Sequence, residues 1–196
     1  DPQFMSYALC GGLVQAGLFA YIAGSPYVLI ELHGIPPQYY GLVFGSNAIG
    51  LITASQINAR LVRKQPLERI LKYTLTIAAT VSVISAAAAI AGVNSLPLLL
   101  IGLFLYLSSY GMISPNAIAM VLKYQGKQAG TASALAGTLQ FALGVSSGVW
   151  MSLWHARSAV PLTSVMAVCG LAGLLLYHLV AKKQGPRGPH RTSEGI

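Results

Sequence analysis

Charged side chains are scarce in this sequence: Asp, Glu, Lys and Arg make up only 8% of its 196 residues. A soluble domain typically contains about 25%. The scarcity is concentrated in long runs, since residues 2–59 contain a single charge, Glu31, and residues 73–122 contain none. Because a helix of about 20 apolar residues crosses the bilayer core, the second run is long enough to cross twice. The missing charge therefore argues against a soluble fold and predicts an integral membrane protein.

The residues that build catalytic and metal sites are also few. The two cysteines, Cys10 and Cys169, lie in apolar runs and are expected to be buried hydrophobic residues rather than a disulfide or metal pair. The sequence has no His-Glu-x-x-His or phosphate-loop motif. We therefore expect no enzyme activity, no bound cofactor and no metal.

What remains is apolar, with 55% hydrophobic residues and a mean hydropathy of +0.64. Turn residues and charges divide it into six predicted transmembrane helices, at about 6–31, 36–59, 72–92, 96–121, 129–154 and 159–181. Lys and Arg cluster after the second and fourth spans and beyond the sixth. The positive-inside rule then places both termini in the cytoplasm. Residues 184–196 lack apolar periodicity and are expected to form a disordered cytoplasmic tail.

The net charge of +8 is explained by this topology, so no nucleic acid partner is expected. The first residue is Asp1 rather than methionine, and we expect the sequence to be a piece of a longer protein. Because its predicted spans are apolar, the lipid bilayer is an expected partner of the chain.

The first three spans resemble the last three. A shift of 89 residues places Tyr21 on Tyr110, Ser25 on Ser114, Pro26 on Pro115 and Gly41 on Gly130. Because three is odd, the second copy enters the membrane from the opposite side. This pattern predicts a 3+3 inverted repeat, the construction of many secondary transporters.

Prolines and glycines indicate where helices bend and approach one another. Pro26 and Pro115 each remove a backbone donor and free a carbonyl, so we expect a bend and a gate at each end of a central site; a static kink is the alternative. Small residues recur at steps of three and four in the fifth span and more briefly in the second. They predict close helix packing at Gly41, Gly45, Gly130, Gly137 and Gly144.

Neutral polar side chains inside the spans are costly unless they find partners. They concentrate on the first and fourth spans, with one each on the second and fifth. Any one of them could simply bond a neighbouring helix, but together they predict a cavity for a moderately apolar molecule. The candidates are Gln15, Tyr21, Ser25, Asn47, Ser108, Tyr110, Met112, Asn116 and Gln140.

The chain resembles the C-terminal half, helices seven to twelve, of Bcr/CflA-type drug-resistance transporters of the major facilitator superfamily. The resemblance is carried by Ser25-Pro26-Tyr27-Val28, by Asn58-Ala59-Arg60-Leu61, by Ser114-Pro115-Asn116-Ala117 and most specifically by residues 129–138. It implies one half of a twelve-helix fold, alternating access, and export of small antibiotic drugs in exchange for protons. The implied partner is the N-terminal six-helix half of the same transporter.

No carboxylate or histidine stands at mid-membrane in this sequence, where proton coupling needs one. The resemblance therefore implies that the proton carrier lies in the other half. The alternative is a non-transporting or homodimeric six-helix membrane assembly module.

Overall fold

The computed structural model describes residues 2–123, 125, 128–153 and 158–183, and the predicted tail at 184–196 lies outside them. The described residues form an all-helical bundle. Helix α1 spans Pro2–Pro26 and continues as a π-helix over Tyr27–Leu32. The remaining helices are α2 (Pro37–Leu61), α3 (Leu67–Ile90), α4 (Leu96–Leu122), α5 (Ala129–Leu153) and α6 (Val160–Lys183).

Five of these helical segments are long and apolar enough to cross a membrane. They are α1 with its π-helix, α3, α4, α5 and α6, and α2 is not among them. Asn47, Gln56 and Asn58 interrupt the apolar surface of α2, and they lower its hydropathy although the helix has the length of a span. The bundle as a whole is that of a multi-pass membrane protein.

Helix α3 begins at Leu67, five residues before the predicted span at 72. Pro66 precedes the first helical turn, where its missing N–H costs nothing. Glu68 in that turn accepts a hydrogen bond from Lys123 Nζ at the end of α4, at 2.9 Å. Glu68 and Arg69, which were predicted to lie in a loop, are therefore helical, and α3 extends beyond its apolar portion.

Contacts between helices give their relative directions. Ser147 of α5 donates to the carbonyl of Ala16 at 2.6 Å, and Gly11 faces Gln140, so α1 and α5 run parallel. Tyr106 of α4 donates to the carbonyl of Val14 at 3.1 Å, while Ala117 lies beside Gly11, so α1 and α4 run antiparallel. Alternating directions are what successive membrane crossings require.

The packing sorts the helices into layers. Helix α1 packs against α4, α5 and α6, and α3 packs between α4 and α6. Helix α2 packs mainly on α4, and α5 mainly on α1. Helices α2 and α5 therefore flank a centre made by α1 and α4. The two-fold relation between the first and second three helices stays a prediction.

Candidate functional site

The C-terminal part of α1 and the N-terminal half of α2 bring three of the predicted cavity residues together. Asn47 Nδ2 donates to the hydroxyl oxygen of Tyr21 at 3.0 Å, and the hydroxyl groups of Ser25 and Tyr40 are 2.9 Å apart. The ring of Tyr21 stacks on Phe44, with a centroid distance of 5.9 Å and an interplanar angle of 17°. Tyr21, Ser25 and Asn47 are all buried. Their polar groups hold α2 against α1.

A second pair links α1 to α4 nearer the middle of the bundle. The hydroxyl of Tyr110 donates to Oε1 of Gln15 at 3.0 Å. Gln15 is buried, whereas Tyr110 is only partly buried. Tyr110 is therefore the member of this pair that has surface available to a molecule outside the helices.

The third pair fastens α2 to α4 near their C-terminal ends. Asn116 Nδ2 donates to Asn58 Oδ1 at 2.7 Å, and Asn58 Nδ2 donates back to Asn116 Oδ1 at 3.2 Å. Both amides are buried. Asn116 was predicted as a cavity residue, and here its oxygen and nitrogen are both bonded to another helix.

The predictions missed Asn58 and Tyr40, the partners in two of these pairs. A sequence signal for Asn58 exists: it follows Asn47 by eleven residues, three helical turns, so both amides lie on one side of α2. Tyr40 gave no comparable signal because it lies in the first turn of α2, close to the breakers Pro36 and Pro37.

Three other candidates stand apart from these pairs. Ser108 of α4 has a buried Oγ without a hydrogen-bond partner among the described residues, and a Cβ at Gly50 of α2 would lie 2.6 Å from it. Met112, one turn further along α4, is partly buried. Gln140 of α5 is buried, and its Nε2 also has no partner in the described structure. Two cavities, of about 200 and 160 Å³, lie at opposite ends of the bundle. None of the predicted candidate residues lines either of them.

The two prolines differ in their local structure. At Pro26 the α-helix gives way to the π-helix, whereas α4 continues through Pro115 as an α-helix. A π-helical turn inside a helix often marks a functional site. The predicted gating role of both residues remains a prediction.

The predicted glycine stripe of α5 divides between two faces. A Cβ at Gly144 would lie 2.8 Å from the ring of Phe19, so this glycine packs against α1. A Cβ at Gly130 or Gly137, and likewise at Gly41 or Gly45 of α2, would meet no atom within 4 Å among the described residues. These four glycines therefore face away from the rest of the described bundle.

Comparison with known proteins identifies the kind of molecule this bundle comes from. No protein-family model matches the chain. It is 32% identical to the MFS-type transporter YdgK of Bacillus subtilis over 187 residues, which cover 94% of this chain and 45% of that protein. The chain belongs to the major facilitator superfamily.

Two further relatives are drug transporters of this superfamily. The bicyclomycin resistance protein homolog of Haemophilus influenzae is 27% identical over 93% of the chain and 46% of that protein. The multidrug transporter MdfA of Edwardsiella ictaluri is 25% identical over 93% of the chain and 44% of that protein. The chain thus spans slightly less than half the length of these relatives, which agrees with its resemblance to one half of a Bcr/CflA-type transporter.

Proposed function

We propose that the chain is the C-terminal half of a proton-coupled multidrug efflux transporter that exports small antibiotics by alternating access. The observation that carries this proposal is the match of nearly the whole chain to less than half of drug-transporter relatives. The names of two relatives supply the substrate class, drugs that include bicyclomycin. The alternative, a non-transporting or homodimeric module, has no comparable support.

The N-terminal half is the proposed partner, and α2 and α5 are the helices we propose to meet it. Their open glycines would admit another helix to close approach. Helices α3 and α6 expose large aliphatic side chains that suit lipid, including Ile77, Ile84, Leu175 and Leu179, and they lack the open glycines that α2 and α5 have beside their own exposed apolar residues. The substrate would then lie between the halves, in contact with α1 and α4, where Tyr110 is partly exposed.

We also propose that the proton is carried by the other half. The charge-free run at residues 73–122 contains α4, and the interior contacts of the described α1, α2 and α4 are made by neutral amide and hydroxyl groups. The clusters of Lys and Arg support an orientation with both termini on the cytoplasmic side of the bacterial inner membrane.

Drug accumulation in efflux-deficient bacteria tests the proposal. Cells would express this chain alone, or this chain together with the N-terminal half of a Bcr/CflA-type transporter, with and without an uncoupler. We expect reduced accumulation only with the partner and only without the uncoupler. Export by the chain alone would favour the homodimeric module instead, and accumulation that ignores the uncoupler would contradict proton coupling.

A further inference from the structure

The side-chain nitrogen of Gln140, Nε2, is buried in the α1–α4–α5 junction without a hydrogen-bond partner in the described structure. The residue is 4% exposed, and Nε2 finds neither a backbone carbonyl nor a polar side chain. A buried donor left unsatisfied costs about 1–3 kcal/mol. A leucine at this position would fill similar space without that cost, so packing alone does not explain an amide here.

The neighbouring helix is shaped to receive this side chain. A Cβ at Gly11 would lie 2.9 Å from Gln140 Nε2, and a Cβ at Gly12 would lie 3.3 Å from its Cα. Each glycine inside a helix costs roughly 0.5–1 kcal/mol relative to alanine. Two such glycines on α1 therefore provide room for a side chain that is itself unfavourable when buried.

The position of Gln140 connects it with the proposed substrate face. Gly11 lies one turn from Gln15, the residue that holds the hydroxyl of Tyr110. Ala117 of α4 lies on the other side, since its Cβ would be 3.0 Å from a Cβ at Gly11. Helix α5 packs chiefly on α1 and only lightly on α4. A displacement of α5 away from α4 would therefore break few contacts between these two helices.

Since these observations place a donor without a partner beside the proposed face, we propose that Gln140 is a specificity-determining residue. Its Nε2 donates a hydrogen bond to an oxygen acceptor of the transported molecule, such as an amide carbonyl, when α5 shifts from α4. This inference rests on the proposed function and narrows its substrate class to molecules that carry such an acceptor.

Binding to the purified complete transporter that contains this chain tests the inference. The probes are bicyclomycin, which carries amide carbonyls, and tetraphenylphosphonium, which has no hydrogen-bonding atom. In Gln140→Leu we expect a thermal midpoint raised by about 2–4 °C, because the unsatisfied donor is gone. We expect bicyclomycin binding to weaken about three- to tenfold while tetraphenylphosphonium binding is unchanged.

The matched control is Ser147→Ala on the same helix. Ser147 has its partner, the carbonyl of Ala16 at 2.6 Å, so its loss should lower the thermal midpoint and leave the ratio of the two affinities unchanged. Gln140→Met serves the same purpose as the leucine variant if that variant fails to fold.

Three outcomes decide the inference. Weakened bicyclomycin binding with intact tetraphenylphosphonium binding supports it. Unchanged binding of bicyclomycin, or an equal loss for both probes, overturns it while the proposed function stands. A wild-type protein that binds neither probe contradicts the proposed function, and this inference with it.

Discussion

Single polar side chains fasten the central helices of this bundle to one another. Tyr21 with Asn47, Gln15 with Tyr110, and Asn58 with Asn116 each join two helices through uncharged groups. In an apolar surrounding such groups are stable only when they are paired. Most of the polar side chains that the sequence singles out as cavity candidates therefore also hold the fold together.

The Asn58–Asn116 pair provides a test of this dual role. Asn116→Ala leaves the amide of Asn58 buried and unpaired, and we expect a loss of about 1–3 kcal/mol in the free energy of unfolding. The double variant Asn58→Leu/Asn116→Leu removes both amides and should recover most of that loss. Thermal or denaturant unfolding of the two variants in detergent measures the difference.

Tyr110→Phe is the companion variant for export. It removes the hydroxyl group whose hydrogen bond Gln15 accepts, at the partly exposed end of this pair, and should impair drug export while membrane insertion is retained.

If the double leucine variant is less stable than Asn116→Ala, the amide pair is not what holds α2 to α4. Normal export by both Tyr110→Phe and Asn116→Ala would remove these residues from the substrate face.

The sequence identifies which side chains are costly in a membrane, but it does not identify their partners. Asn116 and Gln15 stand out because they interrupt apolar runs, whereas their distances to Asn58 and Tyr110 depend on how α1, α2 and α4 are packed. The unpartnered Nε2 of Gln140 is likewise invisible in a sequence, because its surroundings in the described structure are formed by three helices at once.

Apolar runs in the sequence predict which helices exist more reliably than they predict where each helix begins and ends. The predicted starts of α2, α4, α5 and α6 lie within one residue of those observed, because Pro, Gly and Ser mark the turns. Helix α3 starts earlier because charged residues are as compatible with a helix outside the membrane as with a loop. The Schellman motif that ends α3 is readable from Gly92, whose φ is +74°, with Val93 N–H bonded to the carbonyl of Ala88 at 2.9 Å.

The π-helix after Pro26 was not predicted, although its cause is a single residue. Pro26 cannot donate to the carbonyl of Ile22, and the helix resumes with wider hydrogen bonds such as His33 N–H to Val28 O at 3.2 Å. In Pro26→Ala the donor returns, so we expect the segment to become α-helical. Hydrogen exchange of the amides at 27–32 should slow about fivefold, the equivalent of one hydrogen bond of about 1 kcal/mol.

Pro115→Ala is the matched control for that measurement. Helix α4 is α-helical on both sides of Pro115, so the change in exchange should stay within the turn around position 115. Equal exchange at 27–32 in wild type and Pro26→Ala would show that the residues of the π-helix, rather than the proline, determine its geometry.

The whole bundle has two kinds of surface. All four of the flanking helices α2, α3, α5 and α6 expose large apolar side chains, such as Ile49 of α2 and Ile84 of α3, but only α2 and α5 also present glycines that nothing in the described structure covers. The predicted inverted repeat pairs Gly41 with Gly130, and both are open. This division of the surface supports an assembly in which α2 and α5 meet the other half and α3 and α6 meet lipid.

Tryptophan substitutions distinguish these surfaces. Gly137→Trp should leave the stability of this chain within about 0.5 kcal/mol, since its Cβ position is open. In the complete transporter we expect the same change to abolish drug export by keeping the halves apart. The control is Val168→Trp on α6, where a side chain 66% exposed faces the proposed lipid side and export should persist. Full export by Gly137→Trp would place the interface elsewhere.

Residues that face inward and residues that face outward alternate along helix α5, so its function depends on an unchanged number of residues. The inward face uses Ala132, Ala136, Gln140, Gly144 and Ser147, and the outward face uses Gly130, Ala134, Gly137, Phe141 and Val145. Inserting or deleting one residue between Gly137 and Gln140 rotates everything beyond it by about 100°. Gly144 would then leave the ring of Phe19, and the outward face would turn with it. We therefore expect this chain to tolerate a change of length in the turns beside α5 but not within α5 itself.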